Sequence, residues 1–210
     1  MLLQRPFEAL TPTLDGSVLQ VLVGADTQFT VSRVTALVGD ASTAGVRKAL
    51  NRLVGQGLVA RRGDGVAYLY ELNRNHLLAG PVLEIARARE TLRGRVAEHA
   101  STWPHPPLLL ALFGSAARGQ MHPDSDLDVL VVADDADDAD DHWLDDLGSL
   151  CDAMTSWTGN DTRPLVLAPD ELTSGRDAVL VEIGRDALVL FGDAALLRHA
   201  RRLAAKAGAA

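Results

Sequence analysis

Asp126 and Asp128 stand two residues apart in an apolar run, Asp126-Leu-Asp-Val-Leu-Val-Val132, and the pair Gly114-Ser115 precedes them by ten intervening residues. Successive side chains of a strand alternate between its faces, so both carboxylates fall on one face. Two adjacent carboxylates repel each other and are costly to bury unless a cation neutralises them. Hard oxygen ligands at a strand end suit magnesium, which takes one or two carboxylates together with substrate phosphates. The Gly-Ser turn offers the complementary half. Glycine lets backbone approach closely, and N–H groups at the start of a helical turn receive phosphate oxygens. The residue types and their spacing therefore describe magnesium–phosphate chemistry.

The elements that must hold these groups can be read on either side of them. Leu108-Leu-Leu-Ala-Leu-Phe113 ends at the Gly-Ser turn, and a Pro123-Asp-Ser125 turn feeds the run that holds both aspartates. Apolar runs of this length bounded by turn residues read as buried strands. With Gly114, Ser115, Ala117, Gly119, Ser125, Asp126 and Asp128 in these positions, the stretch resembles the nucleotidyltransferase superfamily. It is most similar to the small bacterial minimal nucleotidyltransferases, which are themselves similar to the kanamycin nucleotidyltransferases. The resemblance spans residues 107–192 and implies a nucleoside triphosphate bound across the Gly-Ser turn. An acceptor hydroxyl, on a protein, an RNA or a small molecule, then attacks the α-phosphate and pyrophosphate leaves. It further implies two magnesium ions on Asp126 and Asp128, with Gly114, Ser115, Arg118 and Ser125 around the nucleotide and Arg118 against the pyrophosphate. The family's third carboxylate lies on the next strand, and the best alignment puts Leu165 at that place. Asp161 and Arg163 share the same strand face by alternation, so Asp161 is the candidate substitute.

Downstream, His142 to about Trp157 reads as a helix (Trp143, Leu147, Leu150, Met154). Thr162 to Ala168 reads as a strand, Asp170 to Ile183 as largely helical, Asp186 to Phe191 as a strand, and a basic Ala-rich helix follows. Residues 106–210 hold eight Lys/Arg against nineteen Asp/Glu, a net charge of −11, and much of the acid lies in Asp134-Asp-Ala-Asp-Asp-Ala-Asp-Asp141. That segment lacks the glycine and terminal glutamate of an EF-hand loop, and reads as a solvated loop feeding a helix N-terminus. Cys151 is the sole cysteine, placed in an apolar helical pattern, which excludes an internal disulfide and a cysteine-built zinc site. The sequence holds 47% apolar and 23% charged residues, no apolar stretch of membrane-span length and no signal-peptide core at its start. These features predict a cytoplasmic protein without membrane contact.

The N-terminal part has different chemistry. Residues 1–75 carry eight Lys/Arg against six Asp/Glu, a net of +2. Helical apolar patterns run over Leu14 to Ala25 and Thr30 to Gly39. A third follows Ser42, a good N-cap, from Thr43 to about Gly55, with Val46, Leu50, Leu53 and Val54 as its core stripe. Leu58–Arg62 and Val66–Leu72 flank Gly63-Asp64-Gly65 as a hairpin. Three helices and a hairpin resemble the winged helix-turn-helix domain of bacterial transcription regulators. The resemblance implies double-stranded DNA as partner, with Ser42 and Thr43 at the start of the recognition helix and Arg47, Lys48, Asn51 and Arg52 along it. Arg61 and Arg62 would contact phosphates at the base of the wing. A net charge of +2 also leaves open a winged fold that makes protein contacts alone.

The expected architecture is thus α/β with two modules. A winged helix-turn-helix domain over 1–75 is followed by a connector helix and Pro-rich linker over 76–104, a nucleotidyltransferase domain with a small mixed sheet over 105–193, and a terminal helix over 194–210. The connector helix, over 81 to about 100, has Leu78, Val82, Ile85, Leu92 and Val96 in four-three alternation broken by Arg89. That stripe would serve either as a homodimer seam or as packing against its own neighbours. Two functions follow: a DNA-tethered magnesium-dependent nucleotidyltransferase, or a winged-helix regulator whose transferase-like domain binds nucleotide or a partner without turnover. Minimal nucleotidyltransferases often belong to toxin–antitoxin pairs, so the resemblance also implies a toxin-type protein partner.

Overall fold

Short polar residues ahead of apolar stripes start the N-terminal helices. The Thr30 hydroxyl accepts from the Arg33 amide at 3.2 Å and the Ser42 hydroxyl from the Gly45 amide at 3.1 Å, each satisfying a donor the first helical turn leaves unpaired. The computed structural model describes residues 1–63, 68–134, 141–174 and 177–208. The chain divides into two compact units, Gln4–Ala88 and Arg89–Ala210, with the first three residues apportioned between them.

In the first unit the order is α1 (Leu14–Val23), β1 (Phe29–Thr30), α2 (Val31–Val38), α3 (Thr43–Gly55), β2 (Val59–Arg62), β3 (Leu69–Leu72) and α4 (Ala79–Ala86). The strands form an antiparallel sheet in the order β1-β3-β2. Val18, Leu22, Val34, Val46, Leu50, Leu53, Leu58, Tyr70 and Leu72 make one buried core, which is the helical stripe expected of α1 to α3 joined to one face of the hairpin. A Cβ on Gly45 would lie 2.8 Å from Leu14 Cδ1, so glycine lets the first turn of α3 rest on α1. Strand β1 was not expected from the sequence, since two residues are too few to show a period. Part of the Gly63-Asp64-Gly65 turn lies outside the described residues, as does most of the acidic segment 134–141.

The second unit contains α5 (Ala88–Ser101), β4 (Leu109–Phe113), α6 (Gly114–Arg118), β5 (Leu127–Val132), α7 (Asp141–Thr158), β6 (Thr162–Leu167), α8 (Pro169–Ser174), α9 (Ala178–Asp186), β7 (Leu188–Gly192) and α10 (Arg198–Ala207). Its sheet is mixed, in the order β6-β5-β4-β7, with β5 parallel to β6 and antiparallel to β4. Every residue of β4 is buried, and Leu110, Leu112, Val129 and Val131 are as covered as Leu109, Ala111, Leu130 and Val132, so both faces of the central strands are packed. Pro164 is tolerated in β6 because that strand is an edge and needs no outward amide donor. On one face Leu109, Ala111, Phe113, Leu130 and Val132 pack with Leu180 and Ile183 of α9 and Ala200 of α10.

The single helix expected over 81–100 is instead two, broken at Arg87, whose amide turns back to the Leu83 and Glu84 carbonyls at 3.2 and 3.1 Å. The apolar stripe changes owner there. Val82 and Ile85 pack into the first unit's core, whereas Leu92, Val96 and Ala100 are buried within the second. A helix whose two halves serve different cores has no reason to keep one phase through Arg87.

Candidate functional site

The register of three strands assembles the site. Phe113, the last residue of β4, pairs with Asp128, and Asp128 pairs in turn with Arg163 of β6. Gly114 therefore leaves β4 directly beside the second aspartate. Its φ is +67°, and a Cβ there would stand 2.6 Å from Asp128 Oδ2. Both facts demand glycine: the backbone conformation is strained for any other residue, and a side chain would push the carboxylate away. Gly119 closes α6 in the left-handed conformation at φ 68°.

Asp128, Leu130 and Val132 lie on one face of β5 by alternation, and Asp126, one residue before the strand, continues their spacing. The apolar pair joins the core that α9 covers, and the carboxylates lie at the open end of the same face. Asp128 is half-buried, and its carboxyl is raised above the usual carboxylate range. Lost hydration is the main cause, followed by the charges of Asp126 and Glu182, against which Arg163 and Arg118 act. The donor set suits magnesium, which takes one or two such carboxylates and completes its shell with phosphate oxygens and water. Among the described residues no group of three His, Cys, Asp or Glu side chains converges as a metal cluster.

The place of the third carboxylate is the main departure. Leu165 pairs with Leu130, one pleat further along the face, and packs against the apolar core. Beside Asp128 stands Arg163. Its Nη1 lies 2.7 Å from Asp126 Oδ2 and its Nε 3.3 Å from Asp161 Oδ2. Asp161 is therefore at the site's rim, 66% exposed and joined to Asp126 through the arginine.

The other expected nucleotide-site residues are near but engaged. Arg118 Nη1 binds Glu182 Oε1 at 2.6 Å and Asp186 Oδ2 at 3.1 Å, tying α6 to α9. The Ser125 hydroxyl accepts from the His122 amide at 2.8 Å, closing the turn ahead of Asp126. Ser115 is partly exposed in the first turn of α6, and its carbonyl accepts from the Gln120 amide at 2.9 Å. Two contributors escaped the sequence reading. Asn160 is 3% exposed and donates from Nδ2 to the Ser125 carbonyl at 2.8 Å, fixing that turn against the start of β6. Glu182 adds a charge felt by Asp128 from a helix more than fifty residues away. An acidic residue in an otherwise apolar helical stretch was the only hint of it. Cys151 is half-buried, and burial with the Asp152 and Asp161 charges pushes its thiol up, away from nucleophilic use.

In the first unit, Ser42, the N-cap of α3, and Thr43, Arg47, Lys48, Asn51 and Arg52 on it are all exposed, and the helix contains no acidic residue. Thr43, Ala44, Arg47, Lys48 and Asn51 line one shallow depression. Arg52 turns the other way, into an ion pair with Asp15 of α1. Arg61 lies over the Tyr68 ring, 4.6 Å from its centroid, and Arg62 pairs with Glu71 at 2.7 Å.

The family model described as nucleotidyltransferase domain matches residues 91–162, a span that includes Gly114, Asp126, Asp128 and Asp161. Solved structures similar to this chain include a crystal structure of a toxin–antitoxin with AMP-PNP, at 19% identity and a TM-score of 0.38 over 57% of this chain and 90% of that one. Another is a mutant of the toxin–antitoxin MntA-HpeT, at 18% identity and a TM-score of 0.40 over 56% and 87% respectively. No curated protein matches the chain. Among the described residues no helix is long and apolar enough to cross a membrane. The chain is an α/β protein that carries a nucleotidyltransferase domain with a small mixed sheet.

Proposed function

We propose that residues 89–210 bind a magnesium nucleoside triphosphate against Gly114, Ser115, Asp126 and Asp128 and transfer its nucleotide monophosphate to an acceptor hydroxyl. The observation that carries this reading is the 2.6 Å separation between Asp128 Oδ2 and the point where a Gly114 Cβ would stand. A glycine forced against a half-buried carboxylate has a purpose when that carboxylate and the turn share one ligand. Asp126 and Asp128 would hold the magnesium, which when bound would neutralise charge on the phosphates. Gly114 keeps the turn free of bulk, Ser115 offers a hydroxyl and an amide to phosphate oxygens, and Asn160 holds the turn that aims Asp126. Asp161, exposed at the rim, would take the acceptor's proton. Residues 4–88 are read as a winged helix-turn-helix that places the N-terminal part of α3 in the DNA major groove.

A second reading has its own support. Arg163 rather than a carboxylate lies beside Asp128, which favours a nucleotide-sensing regulator without turnover. A thermal-shift series with each nucleoside triphosphate, with and without magnesium, tests the site that both readings share. A ligand that binds the native state raises the melting point by linkage. The expected result is a magnesium-dependent rise in the wild type that is lost in Asp126→Asn/Asp128→Asn and in Gly114→Ala. No rise with any nucleotide rejects the site. Release of pyrophosphate on adding an acceptor then separates enzyme from sensor.

A further inference from the structure

Asp126 already has a cation. The guanidinium of Arg163 takes one of its oxygens at 2.7 Å, from the rung of β6 that pairs with Asp128. A divalent ion ligated by that oxygen would meet the guanidinium at the same lone pairs, with like charges adding repulsion. One of the two cations must give way. Arg163 is well suited to do so, since its side chain is 64% exposed and exposed ion pairs are only weakly held against water. Its backbone, by contrast, is held in the sheet beside Asp128, so the displaced guanidinium stays close to whatever the carboxylates hold. The anion that accompanies a metal ion in a nucleotide site is the polyphosphate, and the planar guanidinium fork matches phosphate oxygens better than any other side chain does.

We propose that Arg163 is an exchangeable counter-ion, pairing with Asp126 in the absence of metal and passing to the nucleotide's phosphate oxygens when a divalent cation takes that carboxylate. The proposal rests on the magnesium–nucleotide reading of this face. It predicts opposite signs for two affinities of the same variant. Arg163→Gln removes the competitor for Asp126, so the bare metal binds more tightly. It also removes a phosphate partner, so the metal–nucleotide complex binds more weakly. An arginine that only braced β6 against β5 would move both in one direction.

The experiment uses the full chain with Mn2+ followed by electron paramagnetic resonance, and then the Mn2+ complexes of α,β-methylene nucleoside triphosphates followed by calorimetry. Arg163→Gln is expected to bind Mn2+ alone about three- to tenfold more tightly and the complex about tenfold more weakly, the scale of a charged hydrogen bond. Arg163→Lys, which keeps the charge without the fork, should leave Mn2+ binding near wild type and still weaken the complex. Unchanged or weaker Mn2+ binding in Arg163→Gln overturns the proposal, and so does tighter Mn2+ with unchanged or tighter nucleotide. In both cases wild-type binding persists and the site reading survives. If the wild type binds neither Mn2+ nor any complex, the site reading itself fails.

Discussion

At Asp128 the requirements of the fold and of the ligand oppose each other. Its carboxyl is raised by lost hydration first and by the Asp126 and Glu182 charges next, so the ionised form works against the folded state while no metal is bound. The sign for pH follows from the direction of that shift. A folded-state pKa above the unfolded value means that stability is gained as pH falls through the folded pKa and lost again as pH rises through it. Asp128→Asn removes the charge and is expected to raise the metal-free melting point at neutral pH. The gain should close as pH falls below the carboxylate range. Trp103, Trp143 and Trp157, the three tryptophans of the chain, all lie in the second unit, so a fluorescence melt reads the correct one. A variant that melts lower at neutral pH would mean that Asp128 is held by favourable contacts and awaits no cation. The two aspartates were legible in the sequence because a spacing of two on a strand fixes their common face. Arg163 beside Asp128, Glu182 near it and Asn160 behind Ser125 were not, because strand register and helix docking decide those neighbours.

The elements that frame the site depend on contacts with no slack. Gly184 of α9 faces the backbone of α10 so closely that a Cβ would stand 1.9 Å from the Ala200 carbonyl oxygen and 2.7 Å from the Arg201 amide nitrogen. Neither obstacle is a side chain that can rotate aside. Gly184→Ala must therefore push the two helices apart, and α9 also carries the Glu182 and Asp186 carboxylates that hold Arg118. Overpacking of this kind costs about 1–3 kcal/mol, so the tryptophan-reported melting point should fall by several degrees. The magnesium–nucleotide shift should shrink with it. An unchanged melt would show that the helix pair can open freely, and that α9 does not set the rim of the site. Most elements of both units were readable from apolar period and caps, as α1 to α3, β4, β5 and α7 illustrate. The break at Arg87 was not, since Leu78 to Val96 keeps a near-continuous stripe and only knowledge of two separate cores divides it.

Across the whole molecule the charge is partitioned, +2 over residues 1–75 and −11 over residues 106–210. Any affinity for DNA must come from a few cations on the first unit, working against the repulsion of an acidic second unit. Those cations are not equivalent. Arg52 and Arg62 are paired with Asp15 and Glu71, so a phosphate must compete for them, whereas Arg47 and Lys48 share an exposed helix face that holds no acid. Arg61 lies over Tyr68. Each phosphate contact on duplex DNA contributes roughly −0.9 to the slope of log affinity against log salt. Arg47, Lys48 and Arg61, which pair with no carboxylate among the described residues, thus predict a slope of about −3 for a duplex of arbitrary sequence, and Arg47→Ala/Lys48→Ala should leave about −1. Asn51→Ala should leave the slope unchanged and reduce only discrimination between sequences, because an amide reads adenine edges and neutralises nothing. Fluorescence anisotropy over a salt series separates these effects. If the double variant keeps the wild-type slope, α3 does not carry the phosphate contacts, and the first unit is better read as a protein-binding module.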